Sequence, residues 1–144
     1  MKVVLQRVSG ASVAVGGEVV GSIGRGYVVL LGVGEGDTKE QAGKMAEKIK
    51  KLRIFPDGNG KTNLSIEDID GEVLIISQFT LYADCKKGNR PSFTGAGSPA
   101  LAEELYEHFI KVSEGLFRKV GRGVFGASMQ VSLVNDGPFT VLLD

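Results

Sequence analysis

The sequence predicts a single mixed α/β domain with two main helices. Three observations carry that prediction. Two continuous apolar runs, Tyr27-Val28-Val29-Leu30-Leu31 and Val73-Leu74-Ile75-Ile76, read as strands buried on both faces. Two longer stretches, opening near Thr38 and at Ser98, place apolar residues at helical spacing. Glycine occupies 21 of the 144 positions, near twice its usual share of about 7%. These glycines are scattered between apolar segments, as many tight turns between short strands require.

Taken in order, Val3-Val4-Leu5, Ala11 to Val15, and Val19-Val20 with Ile23 read as short strands, and Gly16-Gly17 is a hairpin signal. The Tyr27–Leu31 run follows. The first helix opens with Thr38 and Gln41 in capping-box spacing, Asp37 being a rival cap, and buries Ala42, Met45, Ala46 and Ile49. Arg53-Ile54-Phe55 ends at Pro56, and Asp57-Gly58-Asn59-Gly60 is a turn. Lys61 stands where a calcium loop would need a ligand, so that reading fails. Val73–Ile76 runs into Ser77-Gln78-Phe79-Thr80-Leu81, and Asp84 to Gly97 forms a long polar loop of the kind that often serves function. Ser98 caps the second helix with Pro99 at its first position. Its expected stripe is Leu101, Leu105, Phe109, Val112 and Leu116, which leaves Ile110 on the far side as a hint of an interface. Two strands, Met129 to Val134 and Phe139 to Leu143, close the chain around Asn135-Asp136-Gly137-Pro138.

Seventeen basic residues balance seventeen acidic ones, which argues against gripping nucleic acid by bulk charge. One Cys (Cys85) forbids an internal disulfide, and with one His (His108) it rules out a zinc site of Cys and His alone. Nothing in the sequence calls for a metal or a cofactor. No apolar run reaches the ~20 residues of a membrane helix and no signal-peptide core is present, so a cytoplasmic protein is expected.

Gly121-Arg122-Gly123-Val124-Phe125-Gly126 spells a dinucleotide fingerprint, but it follows a helix and precedes a strand, the reverse of what that site needs. It reads as a helix stop and turn, and Gly32 to Gly36 also reads as a turn. His108 reads as a boundary packing residue and Cys85 as an incidental thiol. Two basic clusters stand out: Lys86, Lys87 and Arg90 in the long loop, and Lys111, Arg118, Lys119 and Arg122 near the end of the second helix. Solvated surface and phosphate contact are both open readings of each. Ser77-Gln78-Phe79-Thr80 is more informative: a wholly apolar strand acquires three hydrogen-bonding side chains around one Phe. Strand alternation places Ser77 and Phe79 on one face, Gln78 and Thr80 on the other. An ordinary sheet edge and a site at a strand end both fit.

Together these segments resemble the D-aminoacyl-tRNA deacylase family across essentially the whole chain. Gln6-Arg7-Val8, Ala11-Ser12-Val13, Leu30-Leu31-Gly32-Val33, Arg53-Ile54-Phe55 and Arg90-Pro91-Ser92-Phe93 contribute. Ser77 to Leu81 and Met129 to Pro138 complete the resemblance, and Ser77-Gln78-Phe79-Thr80 and Asn135-Asp136-Gly137-Pro138-Phe139-Thr140 carry the identification. Phe139 departs from the smaller aliphatic residue many members have there. The resemblance implies a layered α/β domain over residues 1–144 with two mixed sheets and both helices on one side, forming a homodimer with sites at the subunit interface. It implies a cis Gly137-Pro138 bond, against the ordinary preference of X-Pro bonds for trans. It makes that dipeptide a chiral selector projecting into the partner's site, with Arg7 holding it. Ser77, Phe79, Phe125 and Met129 would bind substrate, and Gln78 and Thr80 would serve catalysis.

The implied reaction is hydrolysis of the ester joining a D-amino acid to the tRNA 3′ end, a proofreading step in translation. An activated ester needs little beyond positioned water, substrate and donors. Assistance by the substrate's ribose 2′-hydroxyl competes with a nucleophilic Thr80, which has no base nearby in sequence. Selection by steric exclusion of L side chains spares glycine, so glycyl-tRNA is an expected substrate. A binding dimer without hydrolysis and a hydrolase of another small ester are the rival classes.

Overall fold

A 14-residue strand, β1 (Lys2–Val15), organises the sheet in the computed structural model, which describes residues 1–144. The remaining elements are β2 (Glu18–Ile23), β3 (Gly26–Gly32), α1 (Lys39–Lys51), β4 (Phe55–Pro56), β5 (Thr62–Leu64), β6 (Glu72–Ser77), α2 (Pro99–Leu116), β7 (Val120–Arg122) and β8 (Gln130–Leu143). One short 3-10 helix, Phe79–Tyr82, follows β6. β1 pairs with β3 through Lys2–Val8 and with β2 through Ala11–Val15, while β8 runs along its other edge. Beyond β3 the order continues to β6 and β7, both added in parallel. Each parallel step needs a crossover, and α1 and α2 supply them.

The architecture is therefore one mixed six-stranded sheet with a separate two-stranded ribbon, β4–β5, and not two mixed sheets of similar standing. The physical reason is continuity. Gly10 does not end the first strand; β1 passes through it with register shifts against β8 at Gln6–Val8 and Val8–Gly10, so one strand serves both halves. β8 is likewise one strand, with its irregular stretch at Asn135–Pro138 tied by the Phe139 N–H donating to Asn135 Oδ1 at 2.8 Å. The sheet curls far enough to bring β2 against β7: a Cβ on Gly21 would meet the Arg122 carbonyl oxygen at 2.7 Å.

Alternation along the central strands divides the core in two. Tyr27, Val29 and Leu31 of β3, with Val73 and Ile75 of β6, face the helices. Val28 of β3, with Leu74 and Ile76 of β6, faces the concave side beside Val8, Val13 and Ile23. Both apolar runs are thus covered on both faces, as their composition requires. The Gly16-Gly17 turn has φ of 58° and 83°, the two positive angles of a tight hairpin turn.

α1 starts with the expected capping box: the Gln41 N–H donates to Thr38 Oγ1 at 3.3 Å and the Thr38 N–H to Gln41 Oε1 at 2.8 Å. Ala42, Ala46 and Ile49 are buried. Ser98 caps α2 by accepting from the Leu101 N–H at 3.2 Å, with Pro99 in the first turn. The buried face of α2 is broader than one stripe and comprises Ala102, Leu105, Tyr106, Phe109, Ile110 and Ser113. Ile110 is a core residue and not an interface residue, because α2 packs against both the sheet and α1. Tyr106 ties α2 to the sheet. Its buried hydroxyl donates to the Ile75 carbonyl at 2.9 Å, with the Gly123 carbonyl 3.3 Å away. Burial is the main cause that pushes this phenol up to about 12, ahead of the opposing pull of the Arg122 cation.

Two outcomes follow. Ile110→Ala is expected to cost about 2–5 kcal/mol of stability, as other large-to-small core changes do. Urea melts should show that loss equally at dilute and concentrated protein; a loss that vanished on dilution would return Ile110 to an interface. Tyr106→Phe removes one buried hydrogen bond and should cost about 0.5–1.5 kcal/mol at neutral pH. The phenol's pKa is raised from 10.0 to about 12 on folding, so its stabilisation is complete below pH 10 and is lost as pH rises toward 12. Melts across that window should fall less steeply for the Phe variant than for the parent.

Candidate active site

The site forms where the two parallel central strands end. β6 stops at Ser77 because its ladder with β3 stops: the Gln78 N–H makes a last bond, to the Leu31 carbonyl at 2.8 Å, and the chain then winds into the 3-10 helix. Ser77 to Thr80 therefore does not alternate as a strand would, and the expected two-face arrangement is not what forms. The 3-10 helix lies tightly over the end of β3. A Cβ on Gly32 would sit 3.0 Å from the Gln78 carbonyl oxygen, and one on Gly34 would sit 2.5 Å from the Tyr82 hydroxyl. A side chain at either position would force the 3-10 helix or the Tyr82 ring to shift.

Beneath this turn is a cavity of about 520 Å³, within the range of small-molecule sites. Ser77, Gln78, Phe79, Phe125 and Met129 all line it. Five side chains singled out in three separate segments thus converge on one cavity. Thr80 does not line it, but Thr80 Oγ1 accepts from the Gln78 side-chain amide and so stands next to it. Phe79 is 56% exposed and packs edge-on against Phe93, with ring centroids 5.0 Å apart.

The reading of the sequence missed Tyr106, which forms part of the cavity wall and packs at a tilt against Phe125, with ring centroids 6.0 Å apart. The available signal was a tyrosine between apolar helix positions, since a buried phenol needs a hydrogen-bond partner. Arg122 sits over its ring at 5.2 Å and forms an ion pair with Glu107. Arg118 and Lys119 both face Glu72. Most of the second basic cluster is therefore paired within the chain.

Gly137, Pro138 and Arg7 lie apart from this cavity. Gly137 and Pro138 are exposed, and the peptide bond between them is cis. Arg7 clamps the segment: Nε donates to the Asp136 carbonyl at 2.9 Å, Nη1 to the Ile54 carbonyl at 2.7 Å, and the guanidinium lies 4.7 Å from the Phe139 ring centroid. Gly137 has φ of 134°, and a Cβ there would come within 2.9 Å of Arg7 Nη2. Phe139, the departure from the family pattern, thus supplies the ring on which Arg7 rests.

The remaining candidates fall away from the cavity. His108 is half-buried on α2 and Cys85 is an exposed free thiol. Gly121-Arg122 belongs to β7 and no helix follows the glycine motif. Gly34 to Asp37 is a turn, closed by the Gly34 N–H donating to Asp37 Oδ2 at 2.7 Å. No three His, Cys, Asp or Glu side chains converge as a metal cluster.

Known proteins match this chain along its full length. The D-aminoacyl-tRNA deacylase of Thermosipho africanus is 57% identical over 144 residues, covering 100% of this chain and 97% of the relative. That of Lactobacillus gasseri is 56% identical over 144 residues, covering 100% and 99%. Among solved structures, the c-Myc DNA Unwinding Element Binding Protein superposes with a TM-score of 0.94 at 44% identity, over 100% of this chain and 98% of its own. A probable eukaryotic D-amino acid tRNA deacylase shares the fold, with a TM-score of 0.87 at 18% identity over 99% and 97% of the two chains. The family model for D-Tyr-tRNA(Tyr) deacylase matches residues 4–144, and the chain belongs to that family of hydrolases.

Proposed function

We propose that the protein hydrolyses the ester between a D-amino acid and the 3′-terminal ribose of tRNA, releasing free tRNA and the amino acid. The observation that carries this reading is the cavity at the end of β3 and β6. It is mainly apolar, with Ser77 and Gln78 at the strand end and the exposed Phe79 ring at its lip. Phe79, Phe125 and Met129 suit an adenine and the carbon frame of an aminoacyl group. Gln78 and the backbone amides of the turn suit the ester carbonyl and its developing negative charge.

Thr80 fits an orienting role better than a nucleophilic one. Its hydroxyl oxygen accepts from the Gln78 amide, and an amide cannot take up the proton that a nucleophile must lose. Water is then the attacking group, with the substrate's ribose 2′-hydroxyl assisting. The water oxygen bonds to the acyl carbon and the ester C–O bond breaks; one water proton ends on the ribose oxygen, the other passes to solvent, and the amino acid leaves as its carboxylate.

Chirality is read by Gly137 and Pro138 of a second copy in a homodimer. Three features support this. The dipeptide is exposed, it lies outside the cavity of its own chain, and Arg7 holds it in one position. The open face of β8 also presents Val134 at 63% and Leu142 at 77% exposure, on a strand paired along one edge only. The Gly137-Pro138 backbone accepts from the substrate's α-amino group. With amine and ester held, an L side chain points at that backbone and a D side chain points away. Glycine has no side chain to reject, so glycyl-tRNA is also deacylated. The setting expected for this reaction is the cytoplasm; no helix is long and apolar enough to cross a membrane.

Matched D-tyrosyl-, L-tyrosyl- and glycyl-tRNA, each with an enzyme-free control, test this directly. Rapid loss of the D and glycyl esters with the L ester spared is expected. Equal loss of D and L would remove the selector, and no acceleration of any ester would remove the reaction. Thr80→Ala should lower kcat by no more than about a hundredfold, the scale of one lost hydrogen bond to the reacting centre. Single-turnover assays showing a loss near a millionfold with binding intact would instead make Thr80 the nucleophile.

A further inference from the structure

The cations of this chain divide into those that face a carboxylate and those that do not. Arg118 and Lys119 face Glu72, and Arg122 pairs with Glu107. Lys39, Lys44 and Lys50 each face a glutamate. Lys86, Lys87 and Arg90 are exposed, lie within five residues of one another and form no ion pair.

The loop that carries them is pinched at its base. The backbones of Asp84 and Ser92 exchange two hydrogen bonds, of 2.7 and 2.9 Å. Asp84 is the only acid in this loop, and its Oδ1 accepts from the Lys86 N–H at 3.0 Å. Its carboxylate is thus engaged with the loop's own backbone, and the charged side chains of the tip between Asp84 and Ser92 are all positive. The returning limb builds the site already described: Phe93 packs on Phe79, and Ala96 and Gly97 line the cavity. Arg90 stands three positions before Phe93, so their Cα atoms lie at most about 11 Å apart.

We propose that Lys86, Lys87 and Arg90 form the phosphate-binding surface for the RNA strand that leads into the cavity. The assignment rests on the reading that the cavity takes an aminoacylated tRNA end. A terminal nucleoside in that cavity sends its phosphate backbone outward past the lip, within reach of a long cationic side chain on the loop tip. A chain with zero net charge has no bulk attraction for a polyanion, so its affinity must come from local unpaired cations. Contacts of this kind set position and do not read sequence.

The test compares the parent with Lys86→Ala/Lys87→Ala/Arg90→Ala, using Lys119→Ala as the control for a paired surface cation. Binding of uncharged tRNA is measured across a salt series. Hydrolysis is measured on a D-aminoacyl-tRNA and on the same D-amino acid esterified to adenosine, which keeps the ester and removes the phosphates. In the triple variant tRNA binding should weaken at least tenfold, and its salt slope should become shallower by about two. KM for the tRNA ester should rise with kcat held, and turnover of the adenosine ester should stay unchanged. The Lys119 variant should bind tRNA as the parent does. Unchanged binding and slope in the triple variant would overturn the assignment, as would equal loss on both esters, which would make the loop only a cavity wall. A parent that binds tRNA through the loop tip yet hydrolyses neither ester would overturn the deacylation reading and leave the surface assigned.

Discussion

The parallel pairing of β3 with β6 is the constraint on which the rest depends. It is tight enough that a Cβ on Gly26 would lie 1.7 Å from the Glu72 carbonyl oxygen, so the start of the ladder admits no side chain. Because both strands are covered on both faces, their central residues, Val28 to Leu31 and Val73 to Ile76, are all apolar, and Glu72 and Ser77 stand at the ends of β6. Ser77 and Gln78 can therefore appear only where the ladder ends. Parallel strands end together, so that point is also where two chain segments separate and leave room for a ligand. The cavity position is a consequence of the pairing, and Gly32 and Gly34 let the 3-10 helix close over it.

Charge in this molecule is used for position more than for stability. The ion pairs of Lys39 and Lys44 with their glutamates join exposed side chains and contribute little, and those of Arg118 and Lys119 reach the half-buried Glu72 from exposed cations. Arg7 differs, because it is largely buried and satisfies two carbonyls on distant segments, Ile54 and Asp136, while its flat face lies on Phe139. A lysine could not replace that fork and stacking surface. It makes an exposed stretch of β8 a defined projection. Among the cations that face no carboxylate, Lys2 rests over the Tyr82 ring, and Lys86, Lys87 and Arg90 are grouped on the Asp84–Ser92 loop.

Much of the local structure was readable in advance. Thr38 with Gln41, Ser98 with Pro99, Gly16-Gly17 and the two apolar runs each carry their signal within a few neighbouring residues, and each forms as read. The misreadings share a cause. Gly10 and Asn135–Pro138 look like breaks, yet strand pairing carries β1 and β8 across them. Ile110 falls off the simple helical stripe, yet it is buried in the core that the sheet and both helices share. Ser77–Thr80 continues a strand pattern, yet loss of its partner strand turns it into a helix. In every case a distant segment outweighed a local preference, as tertiary contacts do.

The residue pattern alone was enough to specify the elements, their caps and turns, and the segments whose chemistry mattered. Those are properties of short stretches, set by period, capping and backbone freedom. It could also name the family, because two polar segments stand in a fixed order within one chain length. Tertiary structure alone decided that Ser77, Gln78, Phe79, Phe125 and Met129 share one cavity, that Tyr106 is in its wall, and that Gly137-Pro138 stays outside it. Such groupings depend on strand register and on crossover connections between residues far apart in the chain. No spacing along a single segment encodes them.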